Sequence, residues 1–255
     1  LSPSSPMPPA SREKTRPSVF WPLAAIAAPL IALLFKLEIH GAEKLPREGA
    51  YVLAPNHYSE ADPLAVALAV WKAGRAPRFM AKESLFRVPV LGSVLRATGM
   101  VPVARASSAA SARQTLETSE TLVRLGRGVI VYPEGTLTRE PDLWPMRGKT
   151  GAVRLALADD IPVIPMAHWG VQQVMPRYGK LKLWPLRRRV RVLFGDPVDL
   201  TAYQAEGPPV NLAGATDKVM ADIADLLAQL RGEPAPAERW NPADHGQKET
   251  GRLEP

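Results

Sequence analysis

The sequence predicts an α/β domain with a mostly parallel central sheet flanked by helices. Between Lys36 and Gly195, short β-rich runs punctuated by Gly and Pro alternate with helical stretches, the pattern of a layered sheet with crossover helices. At 255 residues the chain is long enough to bury a core of its own. It has no cysteine, so neither disulfides nor thiolate metal sites can substitute for that core.

Residues 1–18, LSPSSPMPPASREKTRPS, are rich in Pro and Ser without apolar periodicity, and read as a disordered basic arm. Residues 19–35, VFWPLAAIAAPLIALLF, carry no charge. As one helix this run is about 25 Å long against a hydrocarbon core of about 30 Å, and Pro22 and Pro29 are each expected to break or bend it. Arg12, Lys14 and Arg16 precede it as in a signal peptide, yet no small-x-small cleavage site separates it from KLEIHG. A full span with those cations inside would carry the remainder out of the cytoplasm. A bent monotopic insertion leaves it on the cytoplasmic face of the cell membrane, and that is the expectation. A true span and a buried core helix are the competing readings.

The main domain is expected over residues 36–231. KLEIHG is strand-like, and AYVLAPN follows as a β-rich run. Further strands are expected at RFMAK, MVPVAR, GVIVYPE, IPVIPMAHW and, late in the chain, RRRVRVLFGDPV. Helices are expected over Pro63–Lys72, Pro89–Ala97, Ala109–Leu125 and Thr150–Ala158. A closing amphipathic helix over Asn211–Leu230 places Leu212, Val219, Ile223, Leu226, Leu227 and Leu230 on one stripe. Residues 232–255 read as a solvated, disordered tail, with no role for Trp240 or His245.

The net charge of +7 and a pI near 9.8 point to an anionic partner: nucleic acid, an anionic membrane surface or a phosphorylated small molecule. The chain shows no nucleic-acid-binding motif and no basic, aromatic-interleaved face, so no nucleic-acid partner is expected. His40, His57 and His168 lack metal-ligand spacing, and no metal is expected.

NHYSEADP places His57 and Asp62 where a strand passes into a helix. Asp62 followed by Pro63 is also a helix start, with Asp at the N-cap and Pro at the first helical position. That accounts for Asp62 but not for His57, which falls at the carboxyl end of a strand, where α/β sheets place ligands. If the turn folds back, the carboxylate fixes the imidazole tautomer and stabilises its cation, and a neutral imidazole is a competent base near neutrality. A purely structural histidine stands as the alternative. VYPEGT puts Glu134, Gly135 and Thr136 at a turn after a buried-type strand, which is also compatible with an ordinary glycine loop. Lys82 and Arg105 lie at strand edges, placed either for a substrate phosphate or as solvated charges.

Together these blocks resemble the glycerolipid acyltransferases, the family of 1-acylglycerol-3-phosphate acyltransferases. NHYSEADP is similar to that family's His-x4-Asp block, MVPVAR to its arginine block, YPEGT to its Pro-Glu-Gly-Thr block and IPVIPMA to its fourth block. All four occur in the family's order, within Glu38–Asp199. The resemblance implies a layered acyltransferase fold at the membrane surface. It also implies transfer of a fatty acyl group from acyl-CoA or acyl carrier protein to the hydroxyl of a lysophosphatidate, without a cofactor. It makes His57 the general base and Asp62 its partner, assigns Arg105 and neighbouring Lys82 to the acceptor phosphate, and assigns Glu134, Gly135 and Thr136 to acceptor binding. Where the family has arginine after Glu-Gly-Thr, this chain has Leu137. Either Arg139 replaces it from the same loop, or the acceptor is another one: glycerol 3-phosphate, a lysophospholipid or a glycolipid. The chain has neither cysteine nor a Gly-x-Ser-x-Gly elbow, so direct attack by the acceptor hydroxyl is expected. A non-catalytic lipid-binding protein would have little need of the intact histidine and aspartate.

Overall fold

The computed structural model describes residues 11, 14, 18–103, 109–203, 211–248 and 251. Its centre is a five-stranded sheet built from β1 (Phe35–His40), β2 (Tyr51–Pro55), β5 (Gly128–Ile130), β6 (Val163–Trp169) and β7 (Arg188–Phe194). Their spatial order is β1-β7-β6-β2-β5. All neighbours are parallel except β6 and β7. The middle strands are sealed on both faces: all of β2 and all but the last residue of β6 are buried, which is why they read as apolar runs rather than alternating ones.

Helices cover both faces. On one, α2 (Asp62–Lys72) sets Ala65, Val66, Ala69 and Val70 against Leu53, Ile130 and Ile164. On the other, α5 (Gly151–Ala158) and α6 (Leu212–Arg231) press Val153, Ala156, Val219 and Ile223 onto Val52, Val129 and Val163. The predicted α6 stripe is buried from Val219 onward, while Leu212 is half-buried. Asn211 caps the helix by accepting the Gly214 N–H at 2.8 Å, and Gly232 ends it in the left-handed conformation.

Three expectations change. RFMAK and MVPVAR do not join the main sheet: β3 (Met80–Lys82) and β4 (Val101–Val103) form their own parallel pair. One parallel bridge, Phe79 to Ile130, ties that pair to β5. Pro102 has no N–H to extend the ladder. Second, β5 stops at Ile130, short of VYPE, with the Val131 N–H making a last hydrogen bond to the Leu53 carbonyl at 2.9 Å. A Cβ at Gly128 would fall 2.0 Å from the Tyr51 ring, so only glycine lets β5 approach β2 here. Third, residues 232–248 are not a free tail. Ala235 packs on the core, Pro242 is buried, and the Trp240 carbonyl accepts the Arg147 N–H at 2.8 Å. Trp240 and His245 stack at 3.5 Å. Its scattered apolar groups find partners on α6 and the 144–148 loop that composition does not reveal.

The apolar N-terminal run forms one helix, α1 (Phe20–Leu34), continuous through both prolines. Pro22 lies in the first turn, where no intrahelical donor is required, and Pro29 lies inside the helix. At 15 residues it is about 22 Å long, and no described helix is long and apolar enough to cross a membrane. Phe20 is buried and Ile31 and Leu34 pack on the core, whereas Trp21, Ile26, Leu30 and Leu33 are exposed. The segment is therefore not a fully buried core helix. The expected basic arm, save Ser11, Lys14 and Ser18, lies outside the described residues.

Candidate active site

The parallel strands β2, β3, β4 and β5 end at one edge, and the loops leaving β2 and β5 bring His57 and Tyr132–Gly135 together. His57 Nδ1 lies 3.0 Å from Asp62 Oδ2. The same oxygen accepts the N–H groups of Tyr58 at 2.7 Å and Ser59 at 2.8 Å. Asp62 does not cap α2 as its position before Pro63 predicts. It is the first residue of the helix, and its side chain makes no cap hydrogen bond, because the 57–59 turn aims three donors back at it. A carboxylate facing Nδ1 makes that nitrogen the proton donor and leaves Nε2 as the ring's basic site. The Asp62 side chain is fully buried while that of His57 is 16% exposed.

Glu134 grips the backbone around this pair. Its Oε1 accepts the His57 N–H at 2.9 Å and its Oε2 the Met146 N–H at 3.1 Å, while the His57 carbonyl accepts the Thr138 N–H at 2.7 Å. Burial pushes the Glu134 carboxyl up to about 8 against the pull of those two N–H groups. Glu134 is fully buried, and it braces the backbone that carries His57. Gly135 has φ near +69°, and a Cβ there would lie 3.1 Å from Lys149 Cδ. Glycine makes the turn and leaves room for the lysine.

The cleft beside His57 has a volume of about 530 Å³, and His57, Lys82, Gly135 and Lys149 line it. Gly151 and Ala152, the first residues of α5, line it too, so it holds two ammonium groups near a helix N-terminus. Arg105 lies outside the described residues. Thr136 and Arg139 do not line this cleft. Thr136 borders a separate groove with Leu137 and Tyr178. Arg139 is buried, with Nη2 donating to the Gly251 carbonyl at 3.2 Å. After the left-handed turn at Gly135 the chain meets the His57 backbone again at Thr138, with Thr136 and Arg139 outside the cleft lining. Arg139 is thus not among the residues lining the cleft beside His57, and Leu137 is buried.

Several contributors escaped the sequence reading. Tyr132 stacks on the His57 ring at 4.0 Å and 22°, fixing its plane. Lys149 enters from RGKTG, where a lysine between glycines at a helix start was the available signal. His168 lies behind the dyad on β6. Its Nε2 is 3.0 Å from the Asn56 carbonyl, which can only accept, so Nδ1 must receive the Tyr58 hydroxyl, 3.1 Å away. Burial pushes the His168 pKa down and favours that neutral form. At 3.9 Å from Asp62 Oδ1, an unprotonated Nδ1 has no proton to share. Among the described residues, no group of three or more His, Asp or Glu is arranged to hold a metal ion.

Residues 36–169 match the Acyltransferase family model. The chain is 30% identical over 143 residues to the chloroplastic 1-acyl-sn-glycerol-3-phosphate acyltransferase BAT2 of Brassica napus, an alignment covering 56% of this chain and 40% of that protein. It is 27% identical to the 1-acyl-sn-glycerol-3-phosphate acyltransferase of Bacillus subtilis, covering 79% of this chain and 93% of that one. A Mycobacterium tuberculosis relative is 26% identical, and the match spans 66% of its length. The chain therefore spans well under the full length of some relatives. In fold it is similar to the LPA acyltransferase PlsC of Thermotoga maritima, with a TM-score of 0.61 at 20% identity over 88% of this chain and 81% of that one.

Proposed function

The chain belongs to the acyltransferase family, and on that footing we propose that it transfers a fatty acyl group from acyl-CoA or acyl carrier protein to the hydroxyl of 1-acylglycerol 3-phosphate, giving phosphatidate. The observation that carries this reading is the 3.0 Å contact between His57 and Asp62 at a cleft that also holds Lys82 and Lys149. The acceptor hydroxyl attacks the thioester carbonyl while Nε2 of His57 takes its proton. The new C–O bond forms, the C–S bond breaks, and the leaving thiolate takes that proton from the imidazolium. Asp62 holds Nδ1–H and the transient positive charge. This sequence of steps calls for no cofactor.

The acceptor phosphate is assigned to Lys82 and Lys149, with the start of α5 facing it. Arg105 is retained as a third phosphate contact, as the resemblance implies. Membrane attachment is part of the proposal. The exposed apolar face of α1 inserts as a monotopic anchor, and the basic chain meets an anionic leaflet on the cytoplasmic face of the cell membrane. In this reading residues 36–231 are the catalytic domain.

One observation favours a second acceptor class: buried Leu137 stands where the resemblance expects a phosphate-contacting arginine. The test is incubation of the purified chain with labelled palmitoyl-CoA and an acceptor panel of lysophosphatidate, glycerol 3-phosphate, a lysophospholipid and a glycolipid. Preferential labelling of lysophosphatidate supports the first reading. Labelling of an acceptor without a phosphate monoester replaces it with the second.

A further inference from the structure

Residues 180–187, KLKLWPLR, are all exposed. Trp184 is 80% exposed and Leu183 58%, flanked by exposed Leu181 and Leu186. A string of large apolar side chains in water is unfavourable, and this one is held open rather than folded inward. The Lys182 N–H donates to the Val174 carbonyl at 2.7 Å, and the Arg187 N–H donates to the Leu33 carbonyl at 2.9 Å. The Arg188 guanidinium clamps the tip, donating to the Trp184 carbonyl at 2.6 Å and the Pro185 carbonyl at 3.3 Å. The Leu33 contact joins the loop to the last turn of α1, and Phe35 and Lys36 pair with Arg188 and Arg189 just beyond it. The loop is thus continuous with the exposed face of α1.

Its chemistry selects the occupant. Lys180, Lys182 and Arg187 interleave with the apolar groups, and between Asp160 and Asp196 the chain carries no carboxylate side chain. Cores of protein–protein interfaces are depleted in lysine. A bilayer surface suits this mixture, because Trp lodges at the headgroup level and Lys and Arg keep their stems in apolar surroundings with their charges among anionic headgroups.

We propose that residues 180–187 are a second membrane-docking element, inserting Leu183 and Trp184 into an anionic bilayer beside α1. This rests on the membrane reading above but not on the acyl-transfer reading. It adds that α1 alone does not set the affinity, and that the loop fixes which side of the domain faces lipid.

The test is cosedimentation of the full chain with phosphatidylcholine vesicles, with and without phosphatidylglycerol, alongside sedimentation without lipid. Replacing both Leu183 and Trp184 by Ser should weaken vesicle binding at least about tenfold at unchanged Tm, given the transfer free energy of such side chains. Lys180→Gln with Lys182→Gln should weaken binding to the phosphatidylglycerol vesicles by about thirtyfold and leave the neutral vesicles little affected. Wild-type affinity in both double variants overturns the proposal while leaving α1 as the attachment. Absence of vesicle binding by the wild type overturns it together with the membrane reading. A wild-type dimer that the Ser variants dissolve, with vesicle binding unchanged, overturns it in favour of a second copy of the chain.

Discussion

Glu134 holds His57 by the backbone: its carboxyl group bridges the His57 and Met146 N–H groups across the loops that follow two neighbouring parallel strands. The brace sets the height of the imidazole over the cleft, while Asp62 sets its tautomer. Backbone and side chain of the same histidine are therefore fixed from different parts of the chain.

Removing the brace should cost both stability and activity. Glu134→Ala leaves two buried N–H groups unpaired, each worth about 1–3 kcal/mol. We expect a lower denaturation midpoint in urea and a loss of turnover in the fraction that remains folded. An unchanged midpoint would show that these N–H groups find other partners.

Glu134 also predicts a pH dependence. Its folded-state pKa, about 8, lies above the ordinary 4.5, so across that window the folded protein keeps a proton that the unfolded chain has released. The corresponding stability is fully present below 4.5 and is lost as pH rises through about 8. Thermal melts across this range should therefore show Glu134→Gln gaining on the wild type as pH rises. A constant difference would contradict the assignment.

Asp62→Asn can keep an oxygen on His57 Nδ1 and on the Tyr58 and Ser59 N–H groups, since all three meet the same oxygen, but it removes the negative charge that stabilises the imidazolium. We expect kcat to fall by roughly 10²–10⁴-fold with little change in KM, read by steady-state kinetics on the acceptor that the panel identifies.

If Lys82 and Lys149 hold a phosphate, replacing either with Ala removes a charge-assisted hydrogen bond. That should raise the acceptor KM by about tenfold or more, with kcat less affected. Acceptors lacking a phosphate should be insensitive. Equal losses on both acceptor types would place the lysines elsewhere in the reaction.

What the sequence revealed followed from local rules. The α6 stripe could be read because helical spacing alone places Val219, Ile223 and Leu227 on one face. His57 and Asp62 could be read because the five intervening peptide bonds keep them close. Tyr132 and Lys149 could not, since each reaches His57 only through the pairing of β2 with β5 and the placement of α5. Thr136 and Arg139 are assigned to the site by the resemblance, and neither lines the cleft beside His57. The separation of β3 and β4 from the main sheet was equally invisible, because three-residue strands carry no signal of which neighbour they choose.

The central claim is that His57 removes the acceptor proton, and single-turnover acyl transfer by His57→Ala tests it most directly. The account predicts a rate lower by roughly 10²–10⁴-fold, with melting temperature and acceptor affinity retained. A rate within a few-fold of the wild type would contradict it.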